Sequence, residues 1–186
     1  GAMYYRYSRD SETSPLLKLP KDHADAAANL SYSYSRRGWG LAGDYDAHRR
    51  SAWESWGLPG EHADVRWAQD YALWNLSASK AFHLPSFQKI TVGATWMDGK
   101  DLDRFSRYQF AYLGRDSLTG FAGSGVRFDR GAVARLSYDF NLANVVRFGI
   151  KLDQGRVQPV RGEKLWQNHT GIGLNGAVVG PWQTYW

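Results

Sequence analysis

The sequence predicts an all-β protein, an antiparallel up-and-down transmembrane β-barrel or part of one, with about eight to ten strands present. Three observations predict it. Segment after segment alternates apolar and polar residues with a period of two, the mark of a sheet whose two faces meet different surroundings. Aromatics make up 15% of the 186 residues and glycine fills 20 positions, while mean hydropathy is −0.53 and no apolar run approaches the ~18 residues that a membrane helix requires. Connections between segments are tight at one end and long at the other, as spanning barrels arrange them.

Taken in order, Gly1-Ala2-Met3 reads as the remnant of a cleaved expression tag, and residues 4–186 as one barrel domain or the C-terminal part of one. Strands are expected over 3–9 and 26–36; in the latter, Leu30, Tyr32 and Tyr34 oppose Ser31, Ser33 and Ser35. Over 39–48, Trp39, Leu41 and Tyr45 oppose Ala42, Asp44 and Asp46. A long segment, 64–82, changes phase, with Val65, Trp67, Tyr71 and Leu73 on one parity and Trp74 and Leu76 on the other, which predicts a bulge or kink near Leu73. Over 88–97, Ile90, Val92, Ala94 and Trp96 oppose Lys89, Thr91, Gly93 and Thr95. A strand over 104–113 is followed by one over 126–141, where Leu136, Tyr138 and Phe140 (with Leu142 just beyond) oppose Arg135, Ser137, Asp139 and Asn141. Over 144–155, Val146, Phe148, Ile150 and Leu152 oppose Arg147, Gly149, Lys151 and Asp153; a last full strand is expected over 168–178 and another from Trp182. HLPSF and NLAN make tight turns, whereas 10–25, 49–63, 114–125 and 154–167 are long and rich in Gly, Pro or charge.

The polar face decides which way the apolar face points. Arg66, Asp70, Arg107, Arg135, Asp139, Arg147, Lys151 and Asp153 mix both signs among small residues, which suits a crowded interior where charges pair. Within it, Asp153, Arg147, Lys151, Arg135 and Asp139 form the expected charge network, with Asp153 paired to an Arg from a neighbouring strand or from the 114–127 loop. Leu30, Tyr32, Tyr34, Leu136, Tyr138, Phe140, Phe148 and Ile150 then face lipid, and Trp39, Trp53, Trp56, Trp96, Trp166, Trp182, Tyr185 and Trp186, near strand ends, mark interfacial girdles. Membrane lipid or detergent is therefore the first partner, and an unpaired edge strand would add self-association. The rival reading is a soluble, aromatic-rich β-sandwich that binds carbohydrate through its tryptophans.

Other chemistry is limited. Without cysteine there is neither a disulfide nor a thiolate metal site. The net charge of +5 comes from 23 basic residues interspersed among 18 acidic ones, not from basic blocks, so no nucleic-acid partner is expected. His23-Ala24-Asp25 and His62-Ala63-Asp64 each place a His/Asp pair on one strand face, but both stand where a loop enters a strand, and no metal or other cofactor is assigned. Asp44 and Asp46 lie about 7 Å apart on one strand face, a spacing open to glycosidase chemistry but better suited to a lumenal charge network. No G-x-S-x-G is present, and the glycines at 114, 120, 123 and 125 lack the Lys-Ser/Thr and following helix of a phosphate loop, so no enzyme is expected.

The order of motifs resembles the bacterial surface antigen superfamily of outer-membrane assembly factors and translocators: the BAM and TAM insertase barrels, the two-partner secretion pores and the barrels attached to patatin-like phospholipases. SRRGWGLAGDYD (35–46), YLGRDSLTGF (112–121), LSYDFNL (136–142), KLDQGRV (151–157) and GIGLNGAVVGPW (171–182) are each similar to a motif of that superfamily and occur in its order. The resemblance implies a bacterial outer-membrane location, a role in inserting or transporting polypeptides, and unfolded outer-membrane or secreted polypeptides as clients. It also implies a loop folded into the barrel, here Gly114, Arg115, Asp116, Ser117, Leu118, Thr119, Gly120 and Phe121. In the family an Arg precedes the Gly-aromatic pair and docks near the Asp of the D-x-G strand, which corresponds to Asp153. Here that position is Thr119, so either Arg115 or Arg127 takes over or the lock is absent. The chain matches about half of a sixteen-stranded barrel, with no periplasmic POTRA-type repeats. A membrane anchor for a patatin-like phospholipase is the alternative within the same resemblance.

Overall fold

The structure, a computed structural model, describes residues 1–59, 69–111, 117–142 and 146–178. It is all-β. Eight antiparallel strands form one sheet in strictly sequential order: β1 (Ala2–Tyr5), β2 (His23–Arg36), β3 (Trp39–Arg50), β4 (Asp70–Leu84), β5 (Gln88–Lys100), β8 (Arg130–Leu142), β9 (Val146–Gln158) and β10 (Gln167–Val178). Two further strands, β6 (Tyr108–Gln109) and β7 (Arg127–Phe128), pair with each other inside the β5–β8 connection. The sheet is not closed as a barrel: among the described residues β1 pairs only with β2, and β10 only with β9.

Turn chemistry explains the sequential order. Arg37 and Gly38, at φ 49° and 77°, make a two-residue turn whose left-handed backbone matches the twist of β2 and β3. Pro85, Ser86 and Phe87 join β4 to β5, with Ser86 and Phe87 at φ 60° and 57°. Residues 143–145, which include the second half of NLAN (141–144) and join β8 to β9, lie outside the described residues. These three turns share one end of the sheet, the turn end. The connections at the other, loop end span 6–22, 51–69, 101–129 and 159–166.

Several sequence expectations need correction. The strand expected over 104–113 is reduced to Tyr108–Gln109, and the next begins at Arg130 with only Arg127–Phe128 ahead of it. The apolar residues there, Tyr108, Phe110 and Phe128, imitate a strand because they pack onto the sheet, not because they extend it. No bulge occurs at Leu73: β4 pairs without a break over Asp70–Lys80 on β3 and Ala72–Leu84 on β5. Tyr71 and Leu73 are apolar on the polar-face parity because that end of the face is covered; Leu73 lies opposite Gly99, on which Leu102 sits. The segment 60–68, with His62, Asp64, Val65, Arg66 and Trp67, and the strand expected from Trp182 fall outside the described residues. The strand expected over 3–9 ends at Tyr5 and starts at Ala2, with Ala2 and Met3 paired to Ala26 and Asp25.

The two faces of the sheet have opposite fates. On the polar face, Met97, Val133 and Val157 are buried under Phe110, Leu118 and Phe128 of the 101–129 connection, with Tyr108, Phe121 and Val126 packed at the margin. Burying each of those three covering side chains contributes roughly 1.5–3 kcal/mol. Away from the loop end, where Arg161 reaches over Trp74 and Asp98, the apolar face has no cover among the described residues. Leu30 (72% exposed), Leu76 (64%), Ile172 (72%) and Leu174 (81%) stand bare on it, with Tyr32, Tyr34, Val92, Leu136, Phe148 and Ile150 also exposed. Tyr138 and Phe140 are half-buried by stacking, on each other and, for Phe140, on Phe148. A sandwich would place its second sheet over this face; β6 and β7 pack on the opposite one.

Candidate functional site: the 117–121 loop and its seat

Glycines build the seat on which the 101–129 connection docks. A Cβ on Gly155 would meet Leu118 at 3.2 Å, one on Gly173 the Thr119 Cγ2 at 2.8 Å, and one on Gly171 the Thr119 carbonyl oxygen at 2.1 Å. The period-two pattern brings these glycines to the polar face of β9 and β10, where Gly171 pairs with Asp153 and Gly173 with Lys151. Only a bare backbone lets the loop approach this closely.

At the centre of the seat is the fully buried Asp153. Its Oδ2 accepts from the Thr119 amide at 2.9 Å and from the Thr119 hydroxyl at 2.6 Å, and Lys151 Nζ lies 3.1 Å from the same oxygen. Arg135, directly across from Asp153 on β8, has its Nε 4.0 Å from Oδ1; it donates to Thr95 Oγ1 at 3.1 Å and to the Ser117 carbonyl. The loop thus supplies a backbone donor and a hydroxyl, and the wall supplies both cations. A buried carboxylate without such partners would be costly. Arg127 does not reach this site and instead donates to the Arg104 carbonyl.

Of the residues expected in the loop, Ser117, Leu118 and Thr119 sit in the seat, Gly120 takes φ 82°, and Phe121 packs edge-on to Phe110 and His169. Gly114, Arg115 and Asp116 lie outside the described residues. The five expected lumenal charges share one face but separate into groups. Arg135, Lys151 and Asp153 serve the loop, while Asp139 pairs with Lys89 at 3.4 Å and Arg147 donates to Asn141 at 3.1 Å nearer the turn end.

A second constellation, at the loop end, was not legible in the sequence. Arg50, buried, pairs with the buried Asp103 and stacks over Trp53 (3.9 Å) and Tyr71 (4.3 Å). Tyr71 donates its hydroxyl to Asp25 at 2.7 Å, and His48 lies 3.2 Å from the same carboxylate. His23 is sandwiched by Tyr5 and Tyr7 and met edge-on by Trp53, and burial pushes the Tyr7 phenol above its ordinary range. Asp129 holds Arg107 at 2.9 Å and the Arg161 amide at 2.7 Å, tying both ends of the inserted connection to the 159–166 loop. The partners are tens of residues apart, so no local spacing announces them. In the structure Asp25 and Arg50 lie opposite each other across β2 and β3, beyond the strand ends that alternation predicts. Asp25 and His23 are engaged in these contacts, and among the described residues no cluster of three or more His, Cys, Asp or Glu is arranged to hold a metal ion. Asp46 accepts from Asn29 at 2.7 Å, as one member of the polar face.

No family model matches the chain, and no curated protein matches it.

Proposed function

We propose that this chain forms part of the wall of an outer-membrane β-barrel related to the machinery that inserts or translocates polypeptides. The observation that carries the reading is the inverted distribution of the two faces: the apolar face is bare while the charged one is packed and covered. In water an uncovered apolar face of this extent is a liability; in lipid it is the required outer surface.

The register supports the same view. Following paired residues from Tyr32 across the sheet leads through Gly43, Leu76, Trp96, Ala132 and Arg156 to Asn168, yet the exposed pair on β10 is Ile172 and Leu174, four to six residues farther toward the turn end. A shift of that size, at ~3.3 Å per residue over six strand spacings of ~4.8 Å, corresponds to strands inclined by ~25–35° to the apolar belt. Spanning barrels tilt their strands by a similar amount.

Two further features suit work on polypeptides. The loop 117–121 lies along the charged face on a glycine seat, where Thr119 donates to Asp153 and the Ser117 carbonyl accepts from Arg135. Among the described residues, β10 and the stretch of β2 beyond Ala27 present backbone donors and acceptors to no neighbouring strand. Such edges template an incoming strand by backbone pairing.

The test is reconstitution. The purified chain is expected to be insoluble or aggregated without detergent, to enter preformed phosphatidylcholine vesicles as a protease-protected, heat-modifiable species, and to speed the folding of an unfolded outer-membrane protein into those vesicles. A monodisperse, folded, detergent-free product overturns the membrane reading. Insertion without acceleration overturns the assembly role and leaves the barrel as an anchor.

A further inference from the structure

We infer that the turn end of the apolar face carries a binding site for the phosphate headgroup of an anionic glycerophospholipid, built by Arg36, Arg37 and Lys80 around Trp39. The inference rests on the membrane reading above and adds the lipid class and the residues that select it.

The first observation is the recess itself. Tyr34, Arg36, Arg37, Trp39 and Leu41 line an open hollow of about 370 Å³ at the β2–β3 turn. Arg36, Trp39 and Lys80 form one cross-strand row on the apolar face. Tyr34 and Leu41 form the row nearer the belt, each about 40% exposed (41% and 42%). Apolar surface below and guanidinium groups above match the two halves of a lipid at the depth where acyl chain meets headgroup.

The second is charge. No carboxylate lies on the apolar face at this end among the described residues; Asp139, on β8 near the turn end, has the parity of the polar face and is held by Lys89 at 3.4 Å. Lys80 donates to the Arg37 carbonyl at 2.8 Å and stacks 5.0 Å over the Trp39 ring, so it fixes the turn and the indole while keeping its charge. By contrast, Asp98 at the loop end lies against Arg130 at 2.9 Å and Arg161 at 3.6 Å, so the cations of that rim are engaged by an acid within the protein. Three cations held without an acid at an apolar boundary are complementary to a phosphodiester, and guanidinium groups bind one through paired donors.

The third is backbone conformation. Arg37 occupies a left-handed position, φ 49°, in a two-residue turn where Asn or Asp would be favoured. Phe87, at φ 57° and 72% exposed, does the same in the next turn at this end. A side chain retained at a strained turn position points to a use for that side chain. An arginine and an exposed aromatic at one end of the strands are what a headgroup interface uses.

The test is quenching of Trp39 fluorescence by brominated lipids, taken as the difference between the parent chain and Trp39→Phe, in vesicles. Brominated phosphatidylglycerol is expected to associate about fivefold more strongly than brominated phosphatidylcholine, and free glycerol phosphate at millimolar concentration is expected not to displace it. Arg37→Asn, which suits the turn and so preserves folding, is expected to lower the preference, and Arg36→Gln with Arg37→Asn to abolish it. Equal quenching by the two lipids in the parent chain, or an undiminished preference in the double variant, overturns the inference. Displacement by free glycerol phosphate overturns it as well, because the site would then be one for any small anion. Failure to insert into pure phosphatidylcholine vesicles at all overturns the membrane reading instead, so the two failures are distinguishable.

Discussion

Replacing Gly171 by alanine isolates the contact that holds the 117–121 loop. The added Cβ would lie 2.1 Å from the Thr119 carbonyl oxygen and 2.9 Å from its carbon, both of them backbone atoms that no rotamer change can move. Reaching an ordinary separation of about 3.5 Å requires a displacement of roughly 1.4 Å, more than a close-packed seat absorbs. Such a displacement carries the Thr119 amide and hydroxyl beyond hydrogen-bond range of Asp153, from 2.9 and 2.6 Å. Each bond to the charged carboxylate contributes about 1.5–3 kcal/mol. With partial replacement by water, undocking is expected to become about 3 kcal/mol easier. Amide hydrogen exchange over 117–128 reads this directly, as a rise of roughly a hundredfold while the β8 and β9 amides keep their protection. Gly176→Ala is the control, since its Cβ would come no closer than 3.8 Å to the Phe148 ring, and it is expected to change stability by less than about 0.5 kcal/mol. Exchange in Gly171→Ala that matches the parent would refute the seat as the element that positions the loop.

Thr119→Val removes the hydroxyl bond but keeps the shape and the amide donor, and should loosen the loop by about 1.5–3 kcal/mol on the same exchange assay. Asp153→Asn leaves Arg135 and Lys151 facing a neutral side chain and should lower, by several degrees, the temperature at which the folded band shifts on an unheated gel; unchanged melting would count against the pairing. Asp103→Asn strands the buried Arg50 and should cost about 3–5 kcal/mol in denaturant unfolding, whereas Arg50→Met with Asp103→Asn should recover part of that loss, because it removes the unpaired charge while the Asn oxygen still accepts from the Phe105 and Ser106 amides. Ile172→Arg, at an exposed position, should be almost neutral in a soluble protein but cost about 2–4 kcal/mol for folding into vesicles if β10 crosses the hydrocarbon.

Alternation by itself determined the strands that share one ladder, which face each residue takes, and the tight-turn end, because side-chain direction in a strand follows from parity alone. For that reason Leu136, Tyr138, Phe148 and Ile150 were placed together, and so were Arg135, Lys151 and Asp153. Parity also misled where a loop packs on the sheet: Tyr108, Phe110 and Phe128 obey the spacing of a strand while belonging to a covering segment, and Leu73 imitates a bulge because its end of the polar face is buried. The resemblance linked position 119 to Asp153, but through an arginine from elsewhere in the loop or not at all; that the Thr119 amide and hydroxyl make the contact was not readable, because it spans 34 residues and depends on the absence of side chains at Gly171 and Gly173. The Arg50–Asp103 pair was invisible for the same reason: its energy comes from desolvation and packing that exist only after the connection folds back. What tertiary structure alone decided is that, among the described residues, the polar face is covered and most of the apolar face left bare. A period of two distinguishes the faces but has no sign; only the packing of Phe110, Leu118 and Phe128 on one side supplies it.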